Sequence, residues 1–148
     1  DIIDTKDNNI YNIISLIKIH RAKFGLDVVV IDYLQKLNAG GKDARSNVSN
    51  ASTALKNLAR ELGITVIALA QLNRDGKNAR PELTELKESG QIEQDADCVL
   101  FPFRPSYYED IKPEVEDAVV IIAKNRHGRL CDIPCTFEGK FTRYREAL

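Results

Sequence analysis

The sequence predicts an α/β fold in which a parallel sheet is flanked by helices. Two continuous apolar runs, at residues 28 to 31 and 64 to 69, are typical of parallel strands buried on both faces. Each run follows a segment with helical periodicity, and the order helix, strand, helix, strand favours a parallel sheet with helices on its faces. A length of 148 residues suits one compact domain with its own core.

The first helix is predicted from a stripe of apolar residues that recurs at helical spacing. Asp7 and Asn8 can cap its beginning, and Gly25 is expected to end it. The residues of the stripe are Ile10, Ile13, Ile14, Ile17 and Phe24. This helix is therefore expected to pack through that stripe.

A second helix and three further strands follow. The second helix is expected to end at Gly63, and its apolar face comprises Val48, Ala51, Leu55, Leu58, Ala59 and Leu62. After a polar stretch, residues 98 to 103 predict a strand. The apolar runs at residues 118 to 123 and 130 to 137 are joined by a turn that contains Gly128, which predicts a β-hairpin.

Charge and cysteine content limit the functional classes. The chain has 21 Lys and Arg against 22 Asp and Glu, so any contact with nucleic acid must be local. Cys131 and Cys135, if on one strand, would lie about 13 Å apart, too far for a disulfide. This spacing and the odd count of cysteines favour a reducing compartment, and no apolar run reaches the ~18 residues of a membrane span. We therefore expect a cytoplasmic protein without a membrane partner.

Asp32 is the first candidate site residue, because it directly follows an apolar strand. Open α/β sheets bind ligands at the carboxyl ends of their strands, and an acid there holds the magnesium ion in nucleotide-driven motors. The alternative is an acid that only caps a turn. Gly41 and Lys42 do not complete a phosphate loop, since Lys36 stands where the first Gly belongs and Asp43 where the hydroxyl belongs.

Gln71 follows the second strand and is the next candidate. An amide both donates and accepts hydrogen bonds, so it suits a group that senses a γ-phosphate. A polar residue that merely closes the strand is the alternative. On these residues alone the two interpretations of Gln71 remain open.

Several segments, taken in order, resemble the DnaB-like replicative helicases. They are Val-Ile-Asp-Tyr-Leu-Gln (30 to 35), Ala-Gln-Leu-Asn-Arg (70 to 74), residues 80 to 97, Ala-Lys-Asn-Arg-His-Gly (123 to 128) and Phe-Thr-Arg-Tyr (141 to 144). The ending Ile-Glu-Gln-Asp-Ala-Asp is the most specific, since other RecA-like proteins do not generally carry it. The resemblance implies a partial RecA-like fold over residues 1 to 148, with a mostly parallel twisted sheet flanked by helices that ends in a β-hairpin.

The resemblance implies a hexameric ring of identical subunits that uses ATP to move along single-stranded DNA and unwind the duplex during replication. Primase and a helicase loader are further expected partners. The residue matching Asp32 would serve magnesium through water, and the one matching Gln71 would couple the phosphate state to the DNA loops. Lys124 and Arg126 would reach the γ-phosphate held by the neighbouring subunit, where the planar fork of Arg suits phosphate oxygens.

The resemblance also implies a DNA-binding loop at Lys87, Glu88 and Gly90, with Arg74 as a further contact. A helix end with a solvated lysine is the alternative. Family members commonly have Arg where Lys87 stands, Asn where His127 stands, and Pro-Thr-Gly in place of residues 129 to 131. A lysine meets a phosphate as a point charge rather than as a fork.

The phosphate loop and the glutamate that activates water lie upstream of residue 1 in this family. We therefore expect the parent protein to be the enzyme and the chain alone to be inactive. Two alternatives are a RecA-like recombinase or ATPase core that does not unwind DNA, and a non-catalytic interaction module. The segment from residue 80 to 97 argues against the first, and an intact upstream phosphate loop would exclude the second.

Overall fold

The computed structural model describes residues 1 to 72, 80 to 108 and 113 to 147, and for residues 87 to 89 and 108 the backbone alone. The chain divides into two compact units. Unit 1 spans Asp1–Leu72 and Leu86–Asp95, and unit 2 spans Asn73–Glu85 and Ala96–Leu148. The assignment of residues 1 to 148 to a single domain stays a prediction.

Unit 1 combines three helices with a pair of parallel strands. In chain order they are α1 (Ile10–Phe24), β1 (Val28–Ile31), α2 (Ala44–Leu62), β2 (Thr65–Ala68) and α3 (Gly90–Asp95). The two strands pair in parallel with Ile31 opposite Ala68, which confirms the predicted parallel pair. Among the described residues no helix is both long and apolar enough to cross a membrane.

The ends of the first two helices follow from local sequence. The side chain of Asn9 caps α1, so the cap lies just after the predicted Asp7 and Asn8. Asp43 and Ser46 form a capping box at the start of α2. Gly25 and Gly63 end the two helices as predicted, and the φ of 60° at Gly63 is a left-handed conformation that favours glycine.

The core of unit 1 lies between the helices and one face of the strand pair. Its buried residues are Ile10, Ile17, Ile31, Leu34, Leu37, Ala39, Val48, Ala51, Leu55, Leu58 and Ile64. Val28 is 48% exposed and Val30 59% exposed, while Val29 between them packs against the core. The prediction that both faces of the strands are buried is wrong here, because alternate side chains of a strand face opposite sides and only one side meets this core.

The described residues of unit 2 form an antiparallel sheet of four strands. In spatial order they are β3 (Cys98–Phe103), β4 (Val115–Asn125), β5 (Cys131–Glu138) and β6 (Arg143–Glu146). Strands β4 and β5 form the predicted hairpin. A mostly parallel sheet is wrong for the described strands, since β1 and β2 form the one parallel pair among them. An apolar run indicates that a segment is a strand but does not give the direction of its neighbour, and the short connections after β4 and β5 require antiparallel neighbours there.

A buried ion pair ties the turn after β3 to the sheet of unit 2. Arg104 Nη2 donates to Glu116 Oε1 at 2.6 Å, and Ser106 Oγ donates to Glu116 Oε2 at 3.0 Å. The guanidinium of Arg104 also lies 3.7 Å from the centroid of the Phe137 ring. Because Glu116 is only 2% exposed, its charge depends on these partners for compensation.

Candidate functional site

Asp32 and Gln71 lie at the same edge of the parallel strand pair. Asp32 directly follows β1, and Gln71 comes shortly after β2. The pairing continues beyond the strands, because Leu69 N–H donates to the Ile31 carbonyl at 2.9 Å and Leu34 N–H donates to the Leu69 carbonyl at 2.9 Å. The structure therefore brings the loop after β1 and the segment after β2 together at the carboxyl ends of the strands, where α/β sheets bind ligands.

The side chain of Gln35 holds the backbone of Gln71 through two hydrogen bonds. Gln35 Nε2 donates to the Gln71 carbonyl at 2.9 Å, and the Gln71 N–H donates to Gln35 Oε1 at 3.2 Å. A primary amide can donate and accept at once without carrying a charge. The backbone of Gln71 is thus fixed to the loop that carries Asp32, in which the peptide bond between Asp32 and Tyr33 is cis. Gln35 was not among the predicted site residues, although it closes the segment from residue 30 to 35.

Asp32 is exposed and offers one carboxylate to a metal ion. Within the described parts of the chain, no group of three or more His, Cys, Asp and Glu side chains could hold an ion. Magnesium is commonly bound by one or two carboxylates together with water and substrate phosphates. The donor set at this edge fits a magnesium ion whose other ligands are water and nucleotide phosphate.

Lys124 and Arg126 lie at the β4 end of the hairpin in unit 2. Lys124 pairs in register with Val99 of β3, and Arg126 follows β4 in the turn. Arg126 N–H donates to the Asp97 carbonyl at 2.9 Å, and Arg126 Nη1 donates to Asp97 Oδ1 at 3.1 Å. The side chain of Arg126 is 44% exposed and that of Asp97 51% exposed. Asp97 was not among the predicted site residues, although it ends the most family-specific segment.

The predicted DNA-binding residues are only partly within the described structure. Arg74 lies outside the described residues, and so do the side chains of Lys87 and Glu88. The backbone of Leu83–Ser89 forms a 3-10 helix, and Gly90 begins α3, so the predicted loop is helical. The polar sequence of this segment has no clear apolar stripe, so it did not indicate a helix. The helix forms nonetheless, because its backbone groups hydrogen-bond within the segment.

The helix α3 is fastened to α2 by the carboxylate of Asp95. Its Oδ2 accepts from Ser52 Oγ at 2.8 Å and from Thr53 Oγ1 at 3.2 Å, and its Oδ1 accepts from Gln91 Nε2 at 2.8 Å. Ile92 packs against the core of unit 1. The position of α3, and of the segment that leads into it, is therefore set by polar and apolar contacts together.

Arg80, which begins the family-specific segment, is tied to strand β5. Its Nη2 lies 2.5 Å from Asp132 Oδ1, and both side chains are about half exposed. The hydrogen bond from Arg80, aided by its charge, holds the pKa of the Asp132 carboxyl below its ordinary value. One end of the segment from residue 80 to 97 is thereby anchored within unit 2.

Comparison with known proteins gives matches along most of the chain. The family model for the DnaB-like helicase C terminal domain matches residues 1–146. The chain is 41% identical over 131 residues to the replicative DNA helicase DnaB of Leifsonia xyli subsp. xyli, covering 85% of the chain and 29% of that protein. It is 38% identical over 156 residues to a probable plasmid replicative DNA helicase of Chlamydia psittaci, covering 99% of the chain and 33% of that protein. The chain thus spans a third or less of these relatives' length.

Two solved structures share the fold of the chain. One, described as the ATPase domain of the protein G40P, superposes with a TM-score of 0.87 at 34% identity and covers 100% of this chain and 55% of that one. The other, a DnaB-like replicative helicase described with its interactions with primase, gives a TM-score of 0.86 at 34% identity and covers 100% of this chain and 38% of that one. The α/β class and the RecA-like ATPase fold are confirmed.

Proposed function

Since the chain belongs to the family of DnaB-like helicase C-terminal domains, we propose that it is part of an ATP-dependent replicative DNA helicase. The whole protein would translocate on single-stranded DNA and unwind duplex DNA during replication. The observation that carries this proposal within the structure is the common edge at which Asp32 and Gln71 lie, fastened by the amide of Gln35. Both residue types at this edge suit a site that binds and senses nucleotide phosphates.

In unit 1, Asp32 and Gln71 divide two tasks. Asp32 would hold a magnesium ion through water, and that ion would neutralise charge on the β- and γ-phosphates of ATP. Gln71 would exchange hydrogen bonds with the γ-phosphate, since an amide can follow the loss of an acceptor by turning or releasing its donor. The contact from Gln35 supports this role, because it binds the backbone of Gln71 rather than the side chain that would meet the phosphate.

In unit 2, Lys124 and Arg126 would act on the nucleotide bound by the next subunit of a hexameric ring. A guanidinium keeps its charge and can pair with two phosphate oxygens, which suits the charge that develops during phosphoryl transfer. The partial exposure of Arg126 in the turn supports this role, because the residue must be reachable from outside its own subunit. Lys124 would add a second positive charge from the end of the same strand.

Lys87, Glu88, Gly90 and Arg74 would contact single-stranded DNA. Contacts with the phosphate backbone do not depend on base sequence, and this is what a motor that moves along DNA needs. Support comes from the anchoring of α3 by Asp95, which gives the segment a fixed base on unit 1. Primase would be a further partner in the cytoplasm, and this is supported by a similar helicase that is described with its interactions with primase. A helicase loader would be another.

The test is ATP hydrolysis by the full-length protein with and without single-stranded DNA, alongside this chain alone. We expect DNA-stimulated hydrolysis and duplex unwinding by the full-length protein and none by the chain. The Asp32→Asn variant is the matched control, since it removes the metal-binding charge with almost no change of shape. Hydrolysis without unwinding would favour a RecA-like recombinase or ATPase core. A protein that binds DNA or a partner but never hydrolyses ATP would favour a non-catalytic interaction module.

A further inference from the structure

The most family-specific segment ends in two acids, and each of them is engaged within a different unit. Asp95 is bound by Ser52, Thr53 and Gln91 in unit 1. Asp97 is bound by Arg126 in unit 2. Only Ala96 separates the two acids along the chain. The partner of Arg126 is therefore joined by a very short link to the helix that follows the proposed DNA-binding segment.

Asp97 contacts Arg126 at both ends of the arginine. The backbone carbonyl of Asp97 accepts from the Arg126 N–H at 2.9 Å, and its carboxylate accepts from Nη1 at 3.1 Å. The first contact fixes the backbone of Arg126, and the second fixes the direction of its guanidinium. A long side chain that is tethered at both ends samples fewer rotamers than one held by the backbone alone.

We propose that Asp97 is a positioning residue for Arg126, orienting the guanidinium toward the nucleotide of the neighbouring subunit. This inference rests on the proposed role of Arg126 in phosphoryl transfer. A guanidinium has five N–H donors on a planar group, and Nη1 of Arg126 donates to Asp97 Oδ1. The planar fork can therefore be oriented by a carboxylate on one edge and meet phosphate oxygens with other donors.

The strength of this contact sets the size of the expected effect. Both side chains are about half exposed, and exposed ion pairs hold their partners only weakly. Asp97→Ala in the full-length protein should lower the kcat of DNA-stimulated ATP hydrolysis by about three- to fivefold, with the KM for ATP unchanged. Asp97→Asn, which keeps an acceptor oxygen at the same place, should retain most of the activity.

Two variants decide whether Asp97 acts through the guanidinium. Arg126→Lys keeps the charge but has no fork to orient, so adding Asp97→Ala to it should have little further effect on kcat. Glu138→Gln is the control, because it removes a partly buried carboxylate paired with Arg143 and Arg145 on the same sheet and should leave kcat unchanged. Equal thermal unfolding midpoints of the Asp97 variants and this control would exclude a purely structural loss.

Several results would overturn the inference. These are an unchanged kcat in Asp97→Ala, a change confined to KM, an equal loss in Asp97→Asn, or a full additional loss in the Arg126→Lys background. Failure of the proposed function has a separate signature, which is normal hydrolysis by Arg126→Ala. Loss of hydrolysis in Arg126→Ala together with unchanged activity in Asp97→Ala would remove the positioning role alone.

Discussion

The two units hold their candidate residues by different kinds of contact. In unit 1, backbone pairing and the neutral amide of Gln35 place Asp32 and Gln71. In unit 2, an exposed ion pair with Asp97 places Arg126. Neutral hydrogen bonds respond little to salt, whereas ion pairs between exposed groups are screened by it. The contacts that place Asp32 and Gln71 in unit 1 should therefore depend little on salt. The ion pair that holds Arg126 in unit 2 should weaken as salt is added.

The interiors of the two units also differ in whether they contain charged groups. Unit 1 has an apolar core, in which Ile10 is 0% and Leu58 2% exposed. The sheet of unit 2 also buries apolar residues, among them Phe101, Ile121 and Phe137, but in addition it buries the charged pair of Arg104 and Glu116. Buried charge tolerates the loss of one partner poorly, because the remaining charge is left without compensation. Single substitutions should therefore act through different physical terms in the two units.

The largest expected effect concerns the division of labour between the units. Arg126→Ala should reduce ATP hydrolysis by the full-length protein at least about a thousandfold, since an arginine that stabilises the transition state contributes this much. ATP binding should remain near normal, because the residue serves the neighbour's nucleotide. Mixing this variant with Asp32→Asn should restore part of the hydrolysis in rings that contain both. Loss of nucleotide binding by Arg126→Ala alone would contradict a role in a neighbouring site.

The next effect concerns the buried charge of unit 2. Glu116→Ala should destabilise this unit by about 3 to 5 kcal/mol, because it leaves the Arg104 guanidinium largely buried without its carboxylate. Hydrogen exchange of the β4 amides would report the loss, with the β1 amides of unit 1 as an internal reference. Glu138→Ala, which removes a more exposed acid of the same sheet, is the matched control and should cost less. Equal losses in the two variants would mean that burial of Glu116 is not the cause.

A moderate effect is expected from the hydrogen bonds between Gln35 and the backbone of Gln71 in unit 1. Gln35→Met keeps the size of the side chain but removes both hydrogen bonds to the Gln71 backbone, and should lower DNA-stimulated hydrolysis about tenfold. Lys36→Met changes the adjacent residue of the same turn and should leave the rate near normal. Steady-state hydrolysis at saturating DNA measures both. A stronger effect of Lys36→Met would show that these hydrogen bonds are not what matters in this turn.

The smallest effect compares two ionised acids, one from each unit. Arg80 lowers the pKa of Asp132, whereas hydrogen bonds from Ser46 lower the pKa of Asp43. Each contact stabilises the folded state above the ordinary aspartate pKa, about 3.9, and this stabilisation is lost as the pH falls through the lowered pKa of the folded state. Arg80→Ala should raise the pKa of Asp132 toward its ordinary value and leave that of Asp43 unchanged.

Carboxyl chemical shifts followed through an acid titration would measure both pKa values. High salt should raise the pKa of Asp132 more than that of Asp43, because salt screens an exposed ion pair and hardly affects a hydrogen bond from the backbone amide of Ser46. Equal responses of the two pKa values to salt would contradict the distinction between neutral hydrogen bonds in unit 1 and ion pairs in unit 2.

Sequence alone determined the features that depend on neighbours along the chain. Gly25 and Gly63 end their helices, the apolar runs form β1 and β2, and the hairpin closes around the turn at Gly128, all as predicted. The placement of Asp32 and Gln71 at strand ends also followed, because an element's end is visible in local sequence. The roles assigned to these residues, and to Lys124 and Arg126, stay predictions.

Only the tertiary structure decided which distant residues meet. Gln35 binds the backbone of Gln71, Arg80 binds Asp132, and β3 pairs with β4, although nothing in the local pattern of either partner names the other. The same limit explains the error about a mostly parallel sheet. Helix caps and strand periodicity are set by torsion angles and hydrogen bonds within a few residues, whereas partners far apart are chosen by how the whole chain packs and closes its loops.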